Sequence, residues 1–179
     1  MRVPAGQAAS GGDRQHIVVM GVSGCGKTTV GERLAQVLGW PFAEGDLLHP
    51  QANIDKMAAG IPLQDADRWP WLRAVAAGIR DRDRSGRSSL MSCSALKRSY
   101  RDLLRTGAGR VRFLHLHGER AVLAARLAAR KGYFFPAGLL DSQLATLEPL
   151  GADEDGVVVD VALDTESQIR AGLRGLGLG

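Results

Sequence analysis

The stretch His16–Thr28, HIVVMGVSGCGKT, decides the fold. Ile17 to Met20 form an unbroken apolar run, which suits a strand buried on both faces. Gly21-Val22-Ser23-Gly24-Cys25-Gly26-Lys27-Thr28 then fits G-x-x-x-x-G-K-[ST] without a mismatch. Next, TTVGERLAQVL (28–38) sets Val30, Leu34, Val37 and Leu38 along one side of a helix. A buried strand, a glycine-rich turn and a helix, in that order, make a phosphate cradle. The glycines let backbone N–H groups face the phosphates, and the helix N-terminus adds a favourable dipole. Lys27 is expected to reach the β- and γ-phosphates, and the Thr28 hydroxyl to hold Mg²⁺. Thr29 follows on the same turn. The motif implies a bound nucleoside triphosphate and leaves the receiver of the phosphate open.

Outward from this stretch, apolar strand-type runs alternate with helical patterns, the mark of a parallel sheet with crossover helices. PFAE (41–44), SSLMSC (88–93), VRFLHLHG (111–118) and VVVDVAL (157–163) read as further strands. HPQANIDKMAAG reads as a helix ended by Gly60, IPLQDADR as a loop, and WPWLRAVAAGIR (69–80) as a helix capped by Asp65 or Asp67. DRDRSGR reads as a polar turn, SALKRSYRDLLRTG as a turn and helix, and ERAVLAARLAAR as a helix. KGYFFPAGLL reads as a surface segment, SQLATLE as a helix or turn, and the C-terminus as a last helix. Residues 1–14 are small and polar and read as a disordered tail, with no apolar core of a signal peptide. The rest, 15–179, reads as one α/β domain.

Composition narrows the class. The chain has 179 residues, 45% of them hydrophobic, which suffices for a full core. A net charge of +4 and a pI near 9.5 favour an anionic partner. The arginines are scattered and aromatics are only 5%, which argues against nucleic acid. Cys25 and Cys93 have no partner at metal or disulfide spacing and fit a reducing cytoplasm. No run is long and apolar enough to span a bilayer, so no membrane partner is expected.

Among nucleotide-binding classes, a GTPase switch needs D-x-x-G after an apolar strand and N-K-x-D for the base. Asp83–Gly86 and Asp153–Gly156 precede their apolar runs, and N-K-x-D is absent. A large ATPase needs an aspartate ending a strand, whereas SSLMSC ends in Ser and Cys. A small kinase with a mobile lid remains. Phosphoryl transfer needs cations around the γ-phosphate. Arg126 and Arg130, four apart, are expected on one helix face, Arg130 toward the transferring phosphate and Arg126 flanking the adenine. KGYFFPAGLL, with hinging glycines and covering aromatics, is the expected lid.

On the acceptor side, Asp46 follows the second strand at the carboxyl end of the sheet, where ligands of doubly wound sheets sit. A carboxylate there can orient a hydroxyl, take its proton or hold a metal-bound water. Arg68 and Lys97 lie near helix N-termini, where a cation is unfavourable unless an anion intervenes. With Arg101 one turn on, they suggest an acceptor carrying a carboxylate.

GVSGCGKT, EGDLLHPQANIDKMAAGIPLQDADRWPWL, SCSALKRSYRDLLR, ARLAARKGYFF and SQLATLEPL follow one another in a single order. That series, from His16 to about Val161, resembles the bacterial gluconate kinases. The GD-x-LHP…KM…DR-x-PWL block carries the family specificity. The resemblance implies a three-layer P-loop kinase fold related to shikimate kinase, with a five-stranded parallel sheet in the order 2-3-1-4-5. It also implies ATP and Mg²⁺ as donor, D-gluconate as acceptor, 6-phospho-D-gluconate as product, and a homodimer. Carried over by position, Gly21 to Thr28 bind ATP, and Asp46 is the base or orienting carboxylate. His49, Arg68, Lys97, Arg101 and Gln143 fall at acceptor contacts. Cys25 stands where serine is common, and Tyr133 where the lid usually has histidine. Shikimate or another hydroxyacid is the alternative acceptor, and a nucleotide-dependent switch or RNA-binding ATPase the alternative of a different class.

Overall fold

The computed structural model describes residues 14–132 and 135–179. Positions 1–13 of the expected tail and the Tyr133 substitution therefore lie outside the described residues. Arg14, the last residue of that tail, pairs with Asp83 at 3.2 Å.

Five strands, β1 (His16–Met20), β2 (Phe42–Glu44), β3 (Ser89–Ser92), β4 (Val111–His117) and β5 (Gly156–Asp160), form one parallel sheet. Their order is β2-β3-β1-β4-β5, as the resemblance implies. The central strand β1 is wholly buried, as its apolar run requires. Seven α-helices connect or flank the strands in the described chain. These are α1 (Lys27–Leu38), α2 (Gln51–Ala58), α3 (Asp65–Arg84), α4 (Arg98–Arg105), α5 (Arg120–Ala128), α6 (Ala137–Thr146) and α7 (Thr165–Gly175). Helix α1 packs against α7, and α3 against α4, each pair resting on the sheet. The core joins β1, β3 and β4 to Leu34, Trp71, Leu72, Val75, Ile79 and Leu104. Each large apolar side chain so buried contributes roughly 1.5–3 kcal/mol.

Several sequence readings are corrected. Helix α3 runs over 20 residues and takes in both the expected loop DADR and the expected turn DRDR. Asp65 and Asp67 are inside it; the cap position is Gln64, whose N–H donates to the Asp67 carboxylate at 2.8 Å. Acidic residues in its first turn and arginines in its last complement the dipole without any apolar period. Helix α6 begins at Ala137, inside the expected surface segment, and β5 ends at Asp160. Helix α5 stops at Ala128, so Arg130 lies beyond its end and shares no helix face with Arg126.

The strand order switches direction at β1: β3 pairs on one side and β4 on the other. That arrangement opens a crevice beyond the carboxyl ends of the strands, where the turn after β1 and the segment after β2 meet.

Candidate active site

The turn between β1 and α1 is shaped by backbone conformations that side chains resist. Gly24 and Gly26 have φ of 86° and 91°, in the left-handed region open to glycine. Lys27 opens α1 and donates to the Val22 carbonyl at 3.2 Å, lying along its own loop. Cys25 is buried beneath the loop, consistent with a residue contributing only backbone. The Ser23 N–H donates to Gln143 Oε1 at 2.7 Å, and Gln143 Nε2 donates to Ser23 Oγ at 3.1 Å. Gln143 of α6 thus ties the phosphate loop to the far wall of the crevice. Thr28 and Thr29 are exposed at the start of α1.

Glu44, at the end of β2, is the carboxylate that sequence reading missed in favour of Asp46. It accepts hydrogen bonds from both the Thr28 and the Ser92 hydroxyls. Sequence gives only its place as the last residue of PFAE. Its partner, however, is 16 residues away in sequence. Thr28 and Glu44 together are a hard oxygen pair. No group of three or more His, Cys, Asp or Glu converges among the described residues. This donor set fits Mg²⁺, which keeps waters and phosphate oxygens and takes only one or two protein oxygens.

After Glu44 the chain makes a 3-10 turn over Gly45–Leu48. A Cβ on Gly45 would lie 2.0 Å from the Ser92 carbonyl oxygen, so only glycine fits there. Its N–H donates to Ser92 Oγ at 3.2 Å, and its carbonyl accepts from Trp71 Nε1 at 2.8 Å. This clamp sends Glu44 toward Thr28 and leaves Asp46 exposed toward the crevice.

A cavity of about 350 Å³ occupies the crevice, and Ser23, Lys27, Asp46, His49, Arg68 and Gln143 all line it. Six residues expected at phosphate or acceptor are therefore brought into one space. Arg68 is buried in α3 and donates through Nη1 to the Tyr100 hydroxyl at 3.2 Å. The Tyr100 hydroxyl in turn donates to Asp65. His49 stacks on Trp71, with ring centroids 4.0 Å apart. Burial lowers its pKa, Asp46 acts in the opposite sense, and Arg68 reinforces the lowering.

Two expected acceptor contacts are not in this wall. Lys97 caps α4, and its ammonium pairs with both Asp65 oxygens at 3.0 and 3.1 Å. Arg101 is corrected outright, being fully buried with every guanidinium nitrogen engaged by its own chain. It holds Glu154 through Nε and Nη2, and the carbonyls of Ala95, Leu96, Glu148 and Pro149 through Nη1 and Nη2. Ala95 has φ of 46°, a conformation alanine resists, and the arginine pins it. Arg101 therefore supports the loop that places Ser94 in the cavity wall. Arg126 donates to the Val161 carbonyl, and Arg130 is exposed.

Fold and site together define a P-loop kinase. The AAA domain family model matches residues 17–150. The gluconokinase of Gluconobacter oxydans (strain 621H) is 54% identical over 138 residues, 77% of this chain and 78% of that protein. The thermoresistant gluconokinase of Escherichia coli (strain K12) is 48% identical over 83% of this chain and 86% of its own. A crystal structure of a gluconokinase from Sinorhizobium meliloti 1021 superposes with a TM-score of 0.84 at 51% identity, covering 91% of each chain. The chain belongs to the gluconokinase family.

Proposed function

We infer that the protein transfers the γ-phosphoryl group of ATP to D-gluconate, giving ADP and 6-phospho-D-gluconate. The observation that carries this reading is the shared cavity, whose walls hold the P-loop lysine Lys27 together with Asp46, His49 and Arg68. In this account the loop from Gly21 to Thr29 binds the triphosphate through its N–H groups, and Lys27 neutralises the β- and γ-oxygens. Ser23 exchanges its bond to Gln143 for a phosphate oxygen, which frees Gln143 for the acceptor. Thr28 would hold Mg²⁺, with Glu44 beside it. When bound, the ion neutralises charge developing on the phosphate oxygens. Arg68, already buried and held by Tyr100, meets the gluconate carboxylate. Asp46 orients the acceptor hydroxyl toward the γ-phosphorus and receives its proton; a loose transition state asks little more of it. Arg126 flanks the adenine. Arg130 and the segment after it close as a lid that excludes water.

Residues 15–179 act as a single kinase domain in a cytoplasmic homodimer, without nucleic-acid or membrane partners. No described helix is long and apolar enough to cross a membrane.

Arg68→Ala tests the acceptor side. Losing a charged hydrogen bond of about 1.5–3 kcal/mol should raise KM for gluconate roughly 10- to 150-fold and leave KM for ATP nearly unchanged. Steady-state kinetics with each substrate varied would show it. A rise confined to ATP would move Arg68 to the nucleotide.

A further inference from the structure

His49 lines the cavity beside Asp46, and its two ring nitrogens do different work. Which of them carries the proton follows from Asn53, a residue of α2 that is only 3% exposed. The Asn53 side-chain Nδ2 lies 2.9 Å from the backbone carbonyl oxygen of Asp67. A carbonyl oxygen only accepts, so the atom facing it is the amide nitrogen and not the amide oxygen. That same nitrogen lies 3.2 Å from His49 Nδ1. An NH₂ group has two hydrogens and no acceptor capacity. One hydrogen goes to Asp67, and the other to Nδ1, which must then present a lone pair. The single proton of a neutral imidazole is left on Nε2.

The ring is also fixed in place. It stacks on Trp71 with an interplanar angle of 17°, and Trp71 is itself held by the Gly45 carbonyl. Nε2 faces Asp46 Oδ1 across 3.9 Å, too far for a direct hydrogen bond. An oxygen atom can sit about 2.8 Å from both, at ordinary hydrogen-bond distance. Such an oxygen would accept from Nε2–H and donate to the carboxylate, which is the bonding pattern of a hydroxyl.

We propose that Asn53 is a positioning residue that locks His49 as the neutral Nε2–H tautomer, so that His49 and Asp46 grip the acceptor's hydroxyl from its two sides. The second half rests on the reading of this cavity as the acceptor site. A protonated His49 would work against both halves. Its Nδ1–H would oppose the Asn53 N–H, and its charge would pair with Asp46 and draw that carboxylate away from the hydroxyl. Of the charged groups facing the ring, Asp46 favours the imidazolium and Arg68 of α3 opposes it, while burial, the largest influence, keeps the ring neutral. The pair also discriminates: a carbonyl or carboxylate oxygen can satisfy the His49 donor but repels Asp46.

Long-range ¹H–¹⁵N correlation spectra of the full chain test the tautomer without any substrate. Only four histidines are present, and His49→Gln identifies the relevant signals by their loss. The expected pattern at neutral pH is a proton-bearing Nε2 and a bare Nδ1, with that preference lost in Asn53→Leu. A proton on Nδ1, an imidazolium, or an unchanged spectrum in Asn53→Leu overturns the proposal. Kinetics test the grip. Glutamine can put a donor where Nε2 sits, whereas phenylalanine keeps the stack without one. An unmet polar group costs about 1–3 kcal/mol, so His49→Phe should lose roughly 10- to 150-fold in kcat/KM for gluconate, and His49→Gln clearly less. Equal losses in the two variants overturn the grip. A wild-type protein that turns over no gluconate refutes the reaction itself, an outcome the spectra do not depend on.

Discussion

Asp46, Glu44 and Arg101 show how far charge type alone fails to assign a role. Two carboxylates flank Gly45, and their environments separate them. Glu44 is taken up by the Thr28 and Ser92 hydroxyls, beside the phosphate loop. The Asp46 side chain is 61% exposed toward the cavity, free to meet an acceptor. Asp46→Asn keeps shape and removes the charge. If Asp46 orients the hydroxyl and takes its proton, kcat should fall by about 10²-fold or more, within the range of general base catalysis. A change limited to KM would make it a binding residue. Arg101 looked like an acceptor cation because it follows Lys97 by one turn. Its actual partner, Glu154, is 53 residues further on, and no local pattern announces that pairing. The place of Asp46 and Arg68 in the cavity wall was legible because the end of β2 and an unfavourable helix-end cation are local signals. Glu44 and Arg101 were not, because their meaning lies in a contact across the fold.

At the scale of elements, the strands and α1 were readable from apolar runs and a 3.6-residue period, although Val37, expected on the apolar side of α1, is exposed and Ala35 is buried there instead. Helix α3 was only half readable. Its middle, WPWLRAVAAGI, carries the buried Trp71, Leu72, Val75, Ala76 and Ile79. Its ends carry charge without period and are held by capping and by the dipole, which composition alone reads as loop. The decisive small element is the 3-10 turn after β2. With Gly45 packed against the Ser92 carbonyl, Gly45→Ala must push β2 away from β3. Overpacking of this kind costs about 1–3 kcal/mol or more. Because the shift displaces Glu44 from Thr28 and Asp46 from its place in the cavity wall, activity should fall further than stability. Urea midpoints measured beside kcat/KM would show the disparity. A variant with wild-type values of both would refute the clamp.

For the whole molecule, the buried Arg101–Glu154 pair joins α4 to the segment before β5 and supports the β3–α4 loop of the cavity. Burial alone would raise the Glu154 pKa. Hydrogen bonds from Arg101, the Gly151 N–H and Arg105 outweigh it and hold the carboxyl down at about 2. A folded-state pKa below the unfolded one stabilises the protein above the ordinary glutamate range, and that stabilisation is lost as pH falls through about 2. Glu154→Gln leaves a buried guanidinium unpaired and should destabilise by about 3–5 kcal/mol at neutral pH. The gap between variant and wild type should close toward pH 2, as urea unfolding across pH would reveal; a gap independent of pH would contradict it. The central claim, however, is that one cavity joins ATP to gluconate. ATP and Mg²⁺ incubated with gluconate, shikimate and a nucleoside monophosphate in parallel, with ADP release coupled to a readout and products identified by ³¹P NMR, test it most directly. ADP and a gluconate phosphate monoester should form in equal amounts, and neither with the other acceptors. Phosphorylation of shikimate or the nucleotide, with none of gluconate, would contradict it.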